Sequence, residues 1–279
     1  MTSRILTCPI FYLNSKPHIG HLYTLTLADT QKRFLQKRFP EQSIKLSTGT
    51  DEHGTKILQA AQKSKKNVKK FCDANSNLFK NLQNKYNISN DDFIRTTEER
   101  HKTQVHKIWN EIDKTGDFSL EEYQGWYCAS DETFVAERDT VELNEKRLMS
   151  DAVHNEVNWL KEKNYVFDLD KYLDPVMVSW IKNNVKPEAA AKQALNHLSK
   201  LKYETNGKLS VSRPISRLNH AIPVPNDPEH GVYSAFIYFG PTTSSWSFLG
   251  FWSEIFGLKI RFYKLPFRLA LRTRFIGQF

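Results

Sequence analysis

An apolar run over residues 4–14 predicts a buried strand, with a loop after it at Asn14-Ser15-Lys16-Pro17. The spacing then changes. Leu22, Leu25, Leu27, Phe34 and Leu35 recur at helical intervals, and Lys32, Arg33, Lys37 and Arg38 gather toward the end, where a helix favours cations. Ile44 to Thr48 predicts a short second strand, Gly49 to Gly54 a loop, and Thr55 to Gln62 the start of another helix. Strand, helix and strand make a βαβ unit, so the sheet should be parallel. Ligands of such sheets bind at the carboxyl ends of the strands, where both unusual loops lie.

Residues 63–115 read as helical and hydrophilic. The cluster Lys63, Lys65, Lys66, Lys69 and Lys70 can be a solvated helix face or a contact for a phosphate backbone. From about 117 the texture changes. Phe118-Ser119-Leu120, Gln124 to Cys128 and Asn164 to Leu169 predict strands, and Leu173 to Asn183 and Pro187 to Leu201 predict amphipathic helices. Leu209 to Arg213 looks like a return strand, and Ile222 to Pro228 like a loop. This block reads as an α+β insertion.

The net charge of +9 favours a polyanionic partner such as nucleic acid without specifying one. Three cysteines, Cys8, Cys72 and Cys128, lie far apart, with no C-x-x-C pair to suggest a zinc knuckle or a disulfide framework. The first residues carry neither a secretory signal nor an Arg- and Ser-rich presequence.

Candidate chemistry begins at Pro17-His18-Ile19-Gly20-His21. The pattern follows a predicted strand and opens a helix, whose unpaired N–H groups and positive dipole end suit a phosphate. Pro17 fixes the entering backbone, and Gly20 allows a close approach. Two imidazoles three residues apart share one face and could donate to the non-bridging oxygens of an α-phosphate, where charge builds in the transition state. The blander reading is a pair of surface histidines at a helix cap. Asp51 follows the second strand and opens toward the same crevice, where a carboxylate can hold an α-ammonium group. The plain alternative is an N-cap for the helix near Thr55.

The runs Thr7-Cys8-Pro9-Ile10-Phe11-Tyr12-Leu13-Asn14, Pro17 to His21 and Gly49-Thr50-Asp51-Glu52-His53-Gly54-Thr55 resemble the signatures of methionyl-tRNA synthetases. Gly125 to Glu132, Asn164 to Phe167, Leu209 to Pro214 and Ile222 to Pro225 extend the resemblance, in order, to about residue 232. The resemblance implies an α/β fold: a Rossmann-type (HUP-like) parallel-sheet nucleotide-binding domain, present as its N-terminal half, with an α+β connective insertion. Its implied divisions are 1–116 for the first catalytic half, 117–208 for the insertion, 209–232 for the start of the second half and 233–279 for a divergent tail. It also implies methionine activation with ATP and Mg2+, followed by transfer of the methionyl group to tRNA(Met). His18 and His21 would be catalytic and bind ATP together with Gly20, while Ile10, Tyr12 and Asp51 would bind methionine. Cys128 stands alone in the insertion, which matches the short, zinc-free type of organellar members. A monomer in the mitochondrial matrix is expected, with the cytoplasm as the alternative. Another class I synthetase or a cytidylyltransferase fits the Asp51 loop less well.

After Tyr233 the family pattern stops. Residues 233–279 hold one acid, Glu254, against six Lys or Arg, with dense aromatics and no charge between Ala235 and Ser253. An out-of-frame or altered end and an aromatic, basic tail that docks to a membrane or partner are both compatible with this break. Gly240-Pro241 and Thr242 to Ser245 make a membrane helix a poor fit. The chain contains no Lys-Met-Ser-Lys-Ser run, so an inactive fragment that binds ATP, tRNA or a partner is the competing functional reading.

Overall fold

The computed structural model describes residues 3–128, 133–135, 137–143, 146–150, 154–172, 175–185, 188–205, 207–218 and 220–232. Two compact units emerge, one from residues 3–107 with 218–222 and the other from 108–217 with 223–232.

The first unit is built on β1 (Ser3–Tyr12), α1 (Ile19–Arg38), β2 (Ser43–Asp51), α2 (Thr55–Lys63), α3 (Val68–Lys85), β3 (Asp92–Arg95) and the start of α4 (Glu99–Asp113). Its strands are ordered β1-β2-β3 and both pairings are parallel, as the βαβ pattern predicts. Pairing of β1 with β2 shifts register between Thr7 and Ile10, a stretch that includes Pro9, which has no N–H for the ladder. β2 runs three residues further than predicted. Gly49, Thr50 and Asp51 pair with Ile10, Phe11 and Tyr12, so Asp51 ends a strand and does not lie in a loop. At Gly49 the neighbouring strand is so close that a Cβ would overlap the Ile94 carbonyl oxygen. The core gathers Leu13, Leu25, Leu46, Ile57 and Phe79, all fully enclosed, each contributing about 1.5–3 kcal/mol.

α1 departs from its predicted apolar face. Leu25 and Leu35 are buried, whereas Leu27 and Phe34 are exposed. Asp29 and Lys32 occupy the inner face instead. Asp29 Oδ1 accepts from the backbone and side chain of Ser89 at 2.8 and 2.5 Å, and Lys32 pairs with Asp91 at 2.7 Å. Partnering lets these polar groups sit where apolar ones were expected. Lys63, Lys65, Lys66, Lys69 and Lys70 are exposed.

The second unit adds β4 (Phe118–Cys128), β5 (Thr133–Val135), β6 (Thr140–Leu143), β7 (Lys146–Met149), β8 (Val157–Asp168), α5 (Pro175–Asn184), α6 (Glu188–Thr205), β9 (Lys208–Ser210), β10 (Ser212–Pro214), β11 (Ile222–Val224) and β12 (Asp227–Val232). The two strands expected at 118–120 and 124–128 are one strand, β4, paired antiparallel along its whole length with β8. The predicted return strand over 209–213 divides at Val211: β9 joins β8, and β10 joins β12. The expected loop at 222–228 is a strand pair turned at Asn226, whose φ of 63° suits asparagine. Met177, Ile181, Ala191, Ala194 and Leu198 seal α5 against α6. Leu173, Pro187, residues 129–132 of the quoted motif and the whole tail lie outside the described residues. Among the described residues no helix is long and apolar enough to cross a membrane.

Candidate active site

α1 starts with a capping box made of histidines. His18 is the N-cap, in extended conformation at φ −133° and ψ 177°. Its Nδ1 accepts the Gly20 N–H at 3.1 Å, and His21 Nδ1 accepts the His18 N–H at 3.2 Å. Each ring therefore satisfies an orphan donor of the first turn, the task usually done by Ser and Glu. The chemistry follows from the tautomer. With Nδ1 accepting, the proton of each neutral ring sits on Nε2. The rings stack at 3.7 Å between centroids, 24° apart. Both thus present a fixed Nε2–H donor at the positive end of a helix with no acid in its first turn. Phe11 and Phe79 flank His21 at 4.9 and 5.0 Å. Burial, aided by the neighbouring His18, holds the His21 pKa below its ordinary value, which keeps it neutral. Gly20 has a local reason as well: a Cβ there would lie 3.1 Å from the His18 ring.

Ile10, Tyr12 and Asp51 come together at the carboxyl ends of β1 and β2. Tyr12 pairs with Asp51 and Ile10 with Gly49, so these positions share one face of the sheet. Phe11, between Ile10 and Tyr12, carries the opposite face and meets His21. Asp51 is buried at 3% exposure. Its carbonyl accepts from Leu13 N at 3.0 Å and its Oδ1 accepts from His53 N at 3.2 Å. The N-cap of α2 is Gly54, so the capping alternative for Asp51 is set aside.

Glu52 and its partners had no role in the sequence reading. Glu52 is fully buried and faces Arg95, which donates to both carboxylate oxygens at 2.7 and 3.0 Å. Thr50 and Thr97 hydroxyls also donate to it, and Arg95 reaches on to Asp73 at 2.6 Å. The motif placed the two adjacent acids together, and only strand alternation separates them, one for the crevice face and one for the interior.

Three histidines cluster behind this turn. His53, His101 and His220 are held neutral mainly by burial, His101 down to about 3 and His220 down to about 4. An unfolded chain protonates these groups near the ordinary 6.5. Between about 6.5 and 4 the unfolded state therefore binds more protons, and stability falls as pH drops through that window. Urea denaturation should show ΔG falling by up to about 1.4 kcal/mol per pH unit for each such histidine. A flat profile between pH 7 and 5 would count against the buried cluster.

A parallel Rossmann-type sheet, with paired imidazole donors on the first helix and a carboxylate at the end of the second strand, defines a nucleotide-binding catalytic fold. The family described as tRNA synthetases class I (M) matches residues 4–148, and the chain belongs to it. A probable mitochondrial methionine–tRNA ligase of Dictyostelium discoideum is 40% identical over 242 residues, 82% of this chain and 41% of that protein. The human mitochondrial methionine–tRNA ligase is 40% identical over 81% of this chain and 39% of its own length, and the Thermotoga maritima methionine–tRNA ligase 36% identical over 82% and 35%. The methionyl-tRNA synthetase of Mycobacterium tuberculosis, in complex with methionyl-adenylate, superposes with a TM-score of 0.77 at 31% identity, over 90% of this chain and 47% of that one. The chain thus spans about two fifths of the length of the curated relatives.

Proposed function

We propose that the chain carries the amino-terminal part of the adenylate-forming site of a methionine–tRNA ligase. The observation that carries this reading is the histidine capping box, which fixes two Nε2–H donors at a helix N-terminus beside the strand ends holding Ile10, Tyr12 and Asp51.

Asp51 takes the methionine α-ammonium, and Ile10 with Tyr12 faces the thioether, which is polarisable and favours an aromatic wall. ATP enters as its Mg2+ complex, with Gly20 leaving room for it. A methionine carboxylate oxygen attacks the α-phosphorus, the bond to the β-phosphate breaks and pyrophosphate leaves. His18 and His21 donate to the non-bridging oxygens as charge grows there. The methionyl group then passes to the 3′ end of tRNA(Met). Residues 1–116 serve as the first catalytic half, 117–208 as the insertion and 209–232 as the return to the catalytic domain. The names of the mitochondrial relatives support a mitochondrial location, read here as a monomer in the matrix, and the single cysteine of the insertion, Cys128, buried in β4, supports a zinc-free type.

Methionine-dependent ATP–pyrophosphate exchange tests the proposal. The purified chain should give little exchange, whereas the same chain continued with the carboxyl-terminal part of a mitochondrial relative should be active with methionine. Better exchange with leucine or valine would refute the substrate assignment. Silence in both forms, with methionine still bound, would favour the inactive fragment.

A further inference from the structure

We infer that His53 is a positioning residue for the Asp51 carboxylate, an inference that rests on the methionine-binding reading of Asp51. The ring is nearly enclosed, at 4% exposure. Its Nδ1 lies 3.0 Å from the His220 carbonyl oxygen and its Nε2 lies 3.1 Å from that of Thr96. The imidazole therefore sits between the end of β3 and the segment 218–222, within hydrogen-bond distance of a carbonyl on each.

Both facing groups are carbonyls, which only accept. A neutral imidazole has one N–H, so it bonds one carbonyl at a time and can exchange between them without moving the ring. Each tautomer ties the ring to one of the two segments. Thr96 holds the same turn a second time, since its Oγ1 accepts from Glu52 N at 2.8 Å and its own N–H donates to Thr50 O at 3.2 Å. The helix side of the turn lacks a side-chain cap, since Gly54 sits there at φ 120°. Anchored this way, the His53 backbone N–H stays on Asp51 Oδ1. That bond orients the carboxylate plane toward an incoming ammonium. His53 itself touches no substrate.

The hydrogen-bond contact to residue 220 runs through its main chain, while the His220 ring stacks on His53 at 5.8 Å between centroids. Both ring nitrogens of His220 are buried without a hydrogen-bond partner, so the side chain adds packing but no hydrogen bond to the clamp.

A positioning role predicts a loss confined to ammonium recognition. On the 279-residue chain, calorimetry would compare methionine with 4-(methylthio)butanoate, which lacks the ammonium. Wild type should prefer methionine, and Asp51→Asn should erase the preference. If wild type binds no methionine, or if Asp51→Asn keeps the preference, the Asp51 reading fails and this inference with it. With those two results in place, His53→Ala should lower the preference about tenfold, the scale of one charge-assisted hydrogen bond. His53→Gln, which can donate to one carbonyl, should recover part of it, and His220→Ala, which keeps the carbonyl but loses the ring stacked on His53, should lower it less than His53→Ala does. Equal weakening of both ligands by His53→Ala, or loss of fold in both His53 variants, would make His53 merely structural and overturn the inference.

Discussion

Replacing His21 with alanine is expected to lower methionine-dependent pyrophosphate exchange by on the order of 10²–10³-fold, the usual loss when one preorganised oxyanion donor is removed. The measurement belongs in the chain continued with the carboxyl-terminal part of a mitochondrial relative. Methionine affinity should move by less than about threefold, because a donor aimed at the α-phosphate acts mainly after the reaction begins. His21 also accepts the His18 N–H at 3.2 Å, so the variant loses a cap and about 1 kcal/mol of stability. That loss is too small to mimic the kinetic effect at 25 °C. Acid should mimic the mutation: protonating Nδ1 destroys the acceptor on which the cap depends, so exchange should decline on the acid side. Equal falls in exchange and methionine affinity would sink the role assigned to His21.

Arg95→Ala should be the most damaging single change to the first unit. Glu52 is fully buried, and Arg95 is its charge partner through two hydrogen bonds of 2.7 and 3.0 Å. The pairing raises the arginine pKa still further, chiefly through its bond to Glu52. Deleting one member of a buried pair strands the other charge and costs about 3–5 kcal/mol. Glu52→Gln added to Arg95→Ala should recover a large part, because the stranded charge is gone while the Thr50 and Thr97 hydroxyls keep a side-chain partner. Urea denaturation of the two variants settles the point. A double variant no more stable than Arg95→Ala would mean that Glu52 does not draw its burial from this arginine.

The βαβ frame and the candidate site were legible because strands and helices there carry different apolar periods, and because Pro17 and Gly20 punctuate the junction. β3 was not: Asp92–Arg95 contributes only Phe93 and Ile94 inside a long polar stretch, and its strand character comes from β2 alongside it. β8 hid its first half for a similar reason, since Trp159, Lys161 and Lys163 expose one face and only pairing with β4 makes the segment a strand. The 222–228 segment looked like a loop because Pro223, Pro225 and Pro228 argue against a ladder. β11 is an edge, where a missing N–H is tolerated, and Pro228 lies outside the stretch of β12 that pairs with β10. Tautomers are likewise invisible in a sequence. H-x-G-H indicates which rings are present, while the cap dictates which nitrogen holds the proton.

Gly49 limits how this site can evolve. No side chain fits there without displacing the Ile94 carbonyl, and Asp51 lies two residues further along the same strand. Under the proposed roles, drift toward another amino acid would proceed through Ile10 or Tyr12, whose side chains are partly exposed. A side chain at position 49 would instead have to push β2 and β3 apart. Under the proposed roles, variation in substrate choice would fall on β1, and Asp51 as the proposed ammonium anchor would be inherited along with the spacing of the sheet.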